Sequence, residues 1–410
     1  MNYPSMLRRV FSEKIGISPK LVAKNLVLVA SAFVWYFLAY RFIENAANLY
    51  FPKYTIEILG ANIGGLAVSA LIGSLITDRF RKRDSFVSFW MAAGVFLSLL
   101  PLFSPFSSLG EIIAVSTIFG VYFGVGMPVA MGYFAASSTS GNRGTIAGVT
   151  FLTIGMSFFV LGNIGTESPS ETGIILAGVR LTGLILFLFL GGKDGTDLTQ
   201  EKPAYRQVLR DRTFILYFVP WIMFNVVNYL TIPVTIKIFP LEFVHISGVF
   251  ENILIAVFAI VTGFLIDIKG RKRLAILGFA LLGLGYASLG FFPDIYGWYV
   301  YTVADGIAWG ILDVIFLFTL WGDIAKGRNS EKFYAMGALP YLFSNFMVPL
   351  FTPLMTNILP ISIFTFASFF LFLAVLPLVY APETLPEKVM KEKELKFYVA
   401  KAQEIAQKYY

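Results

Sequence analysis

Apolar residues run through this chain in long blocks, broken at short intervals by charge, glycine and proline. A bilayer core about 30 Å thick is crossed by about 20 helical residues, and blocks of that length recur throughout the chain. The pattern predicts spanning helices at 25–51, 58–77, 84–104, 110–136, 144–164 and 172–191, then at 213–238, 245–267, 274–292, 296–321, 333–356 and 360–380. The fold class is therefore an all-α membrane protein with twelve transmembrane helices. Positions 192–212 scatter Asp, Lys, Glu, Gln and Pro without an apolar period, as expected of a central loop joining six-helix bundles at 25–191 and 213–380. Residues 1–24 are basic, with no uninterrupted apolar core and no small-residue cleavage site, so they read as a cytoplasmic segment and not a signal peptide. Residues 381–410 mix charge and apolar residues at helical spacing, the pattern of a cytoplasmic tail lying on a lipid surface.

The halves also share a local pattern. Ser74-Leu75-Ile76-Thr77-Asp78-Arg79-Phe80-Arg81-Lys82-Arg83 corresponds to Gly263-Phe264-Leu265-Ile266-Asp267-Ile268-Lys269-Gly270-Arg271-Lys272-Arg273. Each places an acid at the end of an apolar run and follows it with a tight basic turn. Its occurrence once per half points to a duplicated, pseudo-symmetric pair of bundles.

Composition fixes the medium. With 57% hydrophobic, 17% aromatic and only 14% charged residues, the chain cannot dress a water-soluble surface. Of the 32 Lys and Arg, all but Arg41, Lys53, Arg180 and Lys237 fall in the two tails, the central loop and the even-numbered turns. Short loops rich in these residues stay inside, which predicts a multi-pass protein of the cell membrane with both termini cytoplasmic. The net charge of +7 then reflects topology and contact with anionic headgroups of the lipid bilayer, and a nucleic-acid partner is not indicated. The chain has no cysteine and one histidine, His245, which removes disulfide, thiolate, iron–sulfur and His-rich metal chemistry. No enzyme, cofactor or metal is expected.

At this point the chain resembles the major facilitator superfamily, whose members pair six-helix halves and carry G-x-L-x-D-x-x-G-R-K/R after the second and eighth helices. Gly263, Leu265, Asp267, Gly270, Arg271 and Lys272 match every defined position. The first copy keeps Asp78 and Arg79 but has Ser74 and Arg81 where the glycines stand. Pro382-Glu383-Thr384 is similar to the P-E-T segment that ends many sugar and metabolite porters. The P-E-S-P-R of sugar porters has no counterpart after the sixth helix, and Ala136 and Thr139 replace the Glu and Pro that would precede Arg143-Gly144. Drug/proton antiporters fit no better, since Gly120 stands near the place of their fourth-helix arginine. The resemblance implies a monomeric secondary transporter, a symporter or permease working by alternating access on a small-molecule substrate, a metabolite, organic anion or sugar, with the proton as coupling ion. It also implies that Asp78, Arg79, Arg81, Gly263, Asp267, Gly270, Arg271 and Lys272 form a cytoplasmic gate. A drug/proton efflux antiporter, an uncoupled facilitator and a non-transporting membrane receptor stay open.

Ionisable residues inside the apolar runs are costly and normally face a cavity or a partner. Arg41, Glu44, Asn45 and Asn48 share one face of the first helix, and Trp221, Asn225, Asn228 and Tyr229 follow Pro220 in the seventh. The tenth helix presents Asp305, Trp309 and Asp313, with Gly306 and Gly310 in a G-x-x-x-G that admits a close neighbour. At about 1.5 Å per residue, Arg41 and Asp305 lie roughly 15 and 13.5 Å deep, so the two are expected to face one cavity. Glu44 and Arg180, at roughly 10 and 12 Å, are expected to pair within the first bundle. By family resemblance, helices one, four, seven and ten line the cavity, which makes Arg41, Asn45, Asn225, Asn228, Tyr229 and Asp305 the substrate-facing set. Asp305 is the expected proton carrier, Glu44 its rival, and Glu251 a second acid or a rim residue.

Overall fold

The computed structural model describes residues 19–76, 83–104, 106–162, 168–191, 201–355, 357–392, 395, 398 and 399. Among them are twelve helices long and apolar enough to cross a membrane: α1 (Pro19–Tyr50), α2 (Pro52–Ile76), α3 (Arg83–Phe103), α4 (Leu109–Ala136), α5 (Arg143–Leu161) and α6 (Pro169–Leu190) form the first bundle. The second comprises α7 (Arg212–Ile238), α8 (Ile246–Lys269), α9 (Arg271–Phe291), α10 (Ile295–Ile324), α11 (Glu331–Met355) and α12 (Pro360–Tyr380). No strand occurs among the described residues. Every predicted span has its helix.

The ends shift where a charge finds a partner. α1 begins before residue 25 because Lys24 is held inside the bundle, 3.4 Å from Asp84 and with its ammonium 4.7 Å from the Phe187 ring. Its apolar stem then packs as helix core. α10 extends past residue 321 because Asp323 is buried between two arginines.

Close crossings use small residues, since two helices in lipid gain most from tight backbone approach. A Cβ on Gly310 would lie 2.7 Å from the Ile255 carbonyl oxygen, and one on Gly306 2.7 Å from the Leu254 Cβ, so the G-x-x-x-G of α10 seats α8. Between the halves, a Cβ on Gly263 of α8 would stand 2.6 Å from the Gly144 carbonyl oxygen of α5. The motif glycine is thus a point of contact between halves. Prolines stand inside α4, α7, α11 and α12. α10 carries a π-helical stretch at Val314–Thr319.

The halves meet along aromatic contacts in the middle. Beside the Tyr36–Phe123 stack at 4.3 Å within the first half, Phe33 and Phe37 of α1 approach Phe318 and Tyr341 of the second half at 5.9 and 6.3 Å. The end where α1 begins and α12 ends also holds the Lys- and Arg-rich turns and is called here the basic end. There, every residue from Gly310 to Ala325 is buried. Toward the opposite end, Arg41, Asn45 and Asn48 of α1 and Ile236 and Lys237 of α7 are exposed.

Candidate functional site

Asp267 ends α8 with its carboxylate turned across to the other half. One oxygen accepts from the Gly144 N–H at 2.9 Å, and the other from the Thr145 N–H and hydroxyl, each at 2.8 Å. These are the orphan donors at the N-terminus of α5, where the helix dipole is positive. An acid that is disfavoured at the end of its own helix is therefore stabilised by the start of another. Arg271, one turn on, stands 3.4 Å from the same carboxylate.

Behind this contact lies a buried ion network. Asp323 at the end of α10 accepts from the Arg271 Nε at 2.8 Å and from the Arg143 guanidinium, so one carboxylate ties both halves. Arg143 also donates to the Ala135 carbonyl at 2.9 Å and the Ser138 hydroxyl at 3.0 Å, and Arg271 donates to the Ile266 carbonyl at 2.6 Å and the Ser140 carbonyl. A second bridge joins Arg83 of α3 to Glu331 of α11 at 2.7 Å. The charges are hydrogen-bonded on several sides, which is what offsets their removal from water.

Gly270 occupies the turn with φ +92°, a conformation glycine adopts freely, and a Cβ there would stand 2.4 Å from the Glu383 carboxylate. Glu383, from the Pro-Glu-Thr segment, caps α9 by accepting from the Arg271 and Lys272 N–H groups at 2.9 and 3.1 Å. The Lys272 ammonium donates to the Val379 carbonyl at 2.6 Å. Asp78, Arg79 and Arg81, the corresponding turn of the first half, lie outside the described residues.

The intramembrane set divides into three groups. Arg41 and Asn45 are exposed on the outer part of α1, and the cation acting on Glu44 is Arg41. The expected Glu44–Arg180 pair is not formed. Arg180 is fully buried, donating from Nε to the Tyr122 hydroxyl at 2.7 Å and from Nη1 to Ser31 at 3.5 Å, with its guanidinium 4.3 Å from the Trp90 ring. Ser31 lies about 20 Å along α1 from Glu44 at about 1.5 Å per residue. Counting depth from helix ends failed because α1, at 32 residues, is far longer than α6, at 22.

Arg41 and Asp305 are likewise not brought together. Asp305 is buried, and the groups interacting with it are Glu251 of α8 and Tyr301 and Trp309 of α10, all from the second half. Glu251 is the neighbouring acid whose charge acts on Asp305, and the Oδ1 of Asp305 has no hydrogen-bond donor among the described residues. Two neighbouring carboxyl groups taken out of water disfavour carrying two negative charges at once. From there a polar path leads to α7: Tyr301 lies 3.4 Å from the Tyr286 hydroxyl, which donates to Asn228 Oδ1 at 2.8 Å and lies 2.9 Å from the Thr231 hydroxyl. Asn225 donates to the Trp221 carbonyl at 2.7 Å, leaving its own Oδ1 without a donor, as is the Nδ2 of Asn228 without an acceptor. Tyr229 packs edge-on to Trp309 at 6.2 Å.

Sequence reading missed Arg83, Arg143, Asp323 and Glu331 as site residues. Their one signal was that each carries its charge at the border of an apolar run, where a surface flank looks the same.

A family model for the Major Facilitator Superfamily matches residues 21–329. No curated protein matches the chain by sequence. Among solved structures, the proton:xylose symporter XylE bound to 6-bromo-6-deoxy-D-glucose superposes with a TM-score of 0.61 at 14% identity, covering 89% of this chain and 96% of that one. The human organic anion transporter MFSD10 superposes with a TM-score of 0.62 at 15% identity, covering 88% of this chain and 100% of the other. At these identities the likeness is one of fold.

Proposed function

We propose that this chain, which belongs to the Major Facilitator Superfamily, is a proton-coupled secondary transporter of a small polar solute, working by alternating access as a monomer in the cell membrane. Both termini are cytoplasmic in this reading, so the basic end is the inner one and the structure represents a state closed to the cytoplasm. The inner gate is the Asp267 contact with α5 together with the Arg143–Asp323–Arg271 network. Opening requires those bonds to break, and solute and proton act by binding one state better than the other.

The observation that carries proton coupling is the buried Asp305 of the second half, with Glu251 of α8 as its acidic neighbour and a polar path from Tyr301 through Tyr286 to Asn228 of α7. A proton lost from the pair leaves two adjacent negative charges, an arrangement that favours rearrangement of α8 against α10. Arg41, Asn45, Asn225, Asn228 and Tyr229 contact the solute as it passes, with Arg41 and Asn45 meeting it first from the exposed end. Arg41 lies beside Glu44, which makes Glu44 a structural partner of that arginine and gives the proton to Asp305 and Glu251. XylE is a proton:xylose symporter and MFSD10 an organic anion transporter, which supports the coupling and a polar cargo.

The test is reconstitution into liposomes holding a pH-sensitive dye, with pools of metabolites added outside under an imposed pH gradient. Solute-dependent proton entry is expected in the wild type. Asp305→Asn should abolish accumulation driven by the gradient yet spare solute exchange. Accumulation that survives in Asp305→Asn but is lost in Glu44→Gln would move the proton site to α1.

A further inference from the structure

The proton pair leaves one buried acid of α10 unused. Asp313 is 2% exposed, its Oδ1 has no hydrogen-bond donor, and no ion pair reaches it among the described residues. A carboxylate so placed in a membrane protein calls for a positively charged visitor or for a proton. The surroundings distinguish the two.

Asp313 is a near charge for Tyr341 of α11 and Tyr229 of α7. Trp309, one turn before Asp313, lies 6.2 Å from the Tyr229 ring and 6.3 Å from the Tyr341 ring. Aromatic rings of α7 and α11 thus pack on Trp309, which shares the face of α10 that carries this acid. Rings arranged about a carboxylate suit an ammonium group, which gains from the ring quadrupoles while the acid neutralises its charge. Of the intramembrane cations of the first half, Arg180 is held by Tyr122, Ser31 and Trp90, and Arg41 lies with Glu44 at the exposed end. Neither supplies the missing charge.

Backbone geometry marks the same place. The π-helical stretch of α10 begins at Val314, immediately after Asp313. Such stretches concentrate at functional sites because the inserted residue re-aims the side chains that flank it.

We propose that Asp313, with Tyr229, Trp309 and Tyr341, forms a subsite for an ammonium group, so that the solute carried by this protein is an organic amine or quaternary ammonium compound. This rests on the transporter reading above and names the substrate class of that central site. It is separate from the proton pair: Asp305 lies two turns away on α10 and has Glu251 as its partner.

The experiment is thermal unfolding of the purified full chain in detergent with choline, with its neutral isostere 3,3-dimethylbutan-1-ol, with acetate and with xylose. Choline is expected to raise the midpoint by several degrees, while the isostere, of equal shape and no charge, leaves it unmoved. Asp313→Asn should weaken the choline effect on the order of a hundredfold in concentration or more, as expected for removing one partner of a desolvated ion pair. Asp313→Glu should restore most of it. Equal stabilisation by choline and its isostere, stabilisation by acetate or xylose alone, no effect of choline, or a choline effect unchanged in Asp313→Asn would each overturn the proposal. The first three outcomes need only the wild type, so a variant that fails to fold does not shelter the idea. The liposome assay separates the two readings: solute-driven proton flux without choline binding sinks the subsite alone, whereas choline binding without any flux sinks the transporter reading.

Discussion

Asp267→Asn tests whether the contact of α8 with α5 holds the basic end closed, as proposed. The carboxylate serves three donors, two N–H groups and one hydroxyl at the start of α5, with two oxygens. Asparagine has one acceptor oxygen and turns an NH2 toward the other side, so at least one buried donor of α5 loses its partner, a cost of about 1–3 kcal/mol. The negative charge at the positive end of the helix is lost as well, worth up to about 2 kcal/mol in a partly buried site. All of these bonds cross between halves, so the loss falls on the closed state and not on either bundle. A shift of about 2–4 kcal/mol changes the closed-to-open ratio roughly 30- to 1,000-fold. The natural chain has no cysteine, so Thr139→Cys and Lys326→Cys, exposed on opposite halves at this end, accept spin labels cleanly. Pulsed electron–electron resonance should show one short distance in the parent and a second, longer population in Asp267→Asn, while Asp267→Glu keeps the parent distribution. An unchanged distribution in a folded Asp267→Asn protein would mean that the turn anchors the helix without gating it.

Two further outcomes follow from geometry. Single cysteines at Lys53 and Ser107 should react with an impermeant thiol reagent from outside intact cells and one at Lys326 should not, and the reverse pattern would invert the orientation and the gate with it. Tyr122→Phe removes the hydroxyl that serves Arg180, which should lower stability by about 1–3 kcal/mol, read as a fall in the thermal midpoint; no fall would show that the Trp90 ring and Ser31 suffice.

Much of the architecture is legible in the sequence because lipid imposes it. A spanning segment must satisfy its own backbone and be apolar over its length, so the twelve runs announce themselves without reference to one another. Asp267 could be read as an acid needing a positive partner for the same kind of local reason, since its own helix end repels it. What could not be read was which positive group answers. Arg143 and Asp323 are 180 positions apart and Arg83 and Glu331 are 248 apart, and each looks, in its own stretch, like an ordinary flanking charge. Their pairing exists only once two bundles face each other. The expected pairing of Glu44 with Arg180 failed because depth counted from the ends of helices of unequal length does not put residues at one level: Arg180 meets Ser31, far along α1 from Glu44.

Helix α10 unites the parts. It holds Asp305 with its acidic neighbour Glu251, Trp309 and Asp313 along one face, and Asp323 at the basic end, where Arg143 and Arg271 converge. Between Asp313 and Asp323 the backbone passes through the π-helical stretch Val314–Thr319. A rigid α-helix would transmit any rotation at the central acids directly to the Asp323 network. A π stretch has a different number of residues per turn, and it can be gained, lost or moved by one residue without unwinding the rest of the helix. In the proposed mechanism, occupation of the central acids would change the orientation of Asp323 in discrete steps. That is the behaviour a gate needs if binding is to break a closed network of buried ion pairs instead of merely straining it.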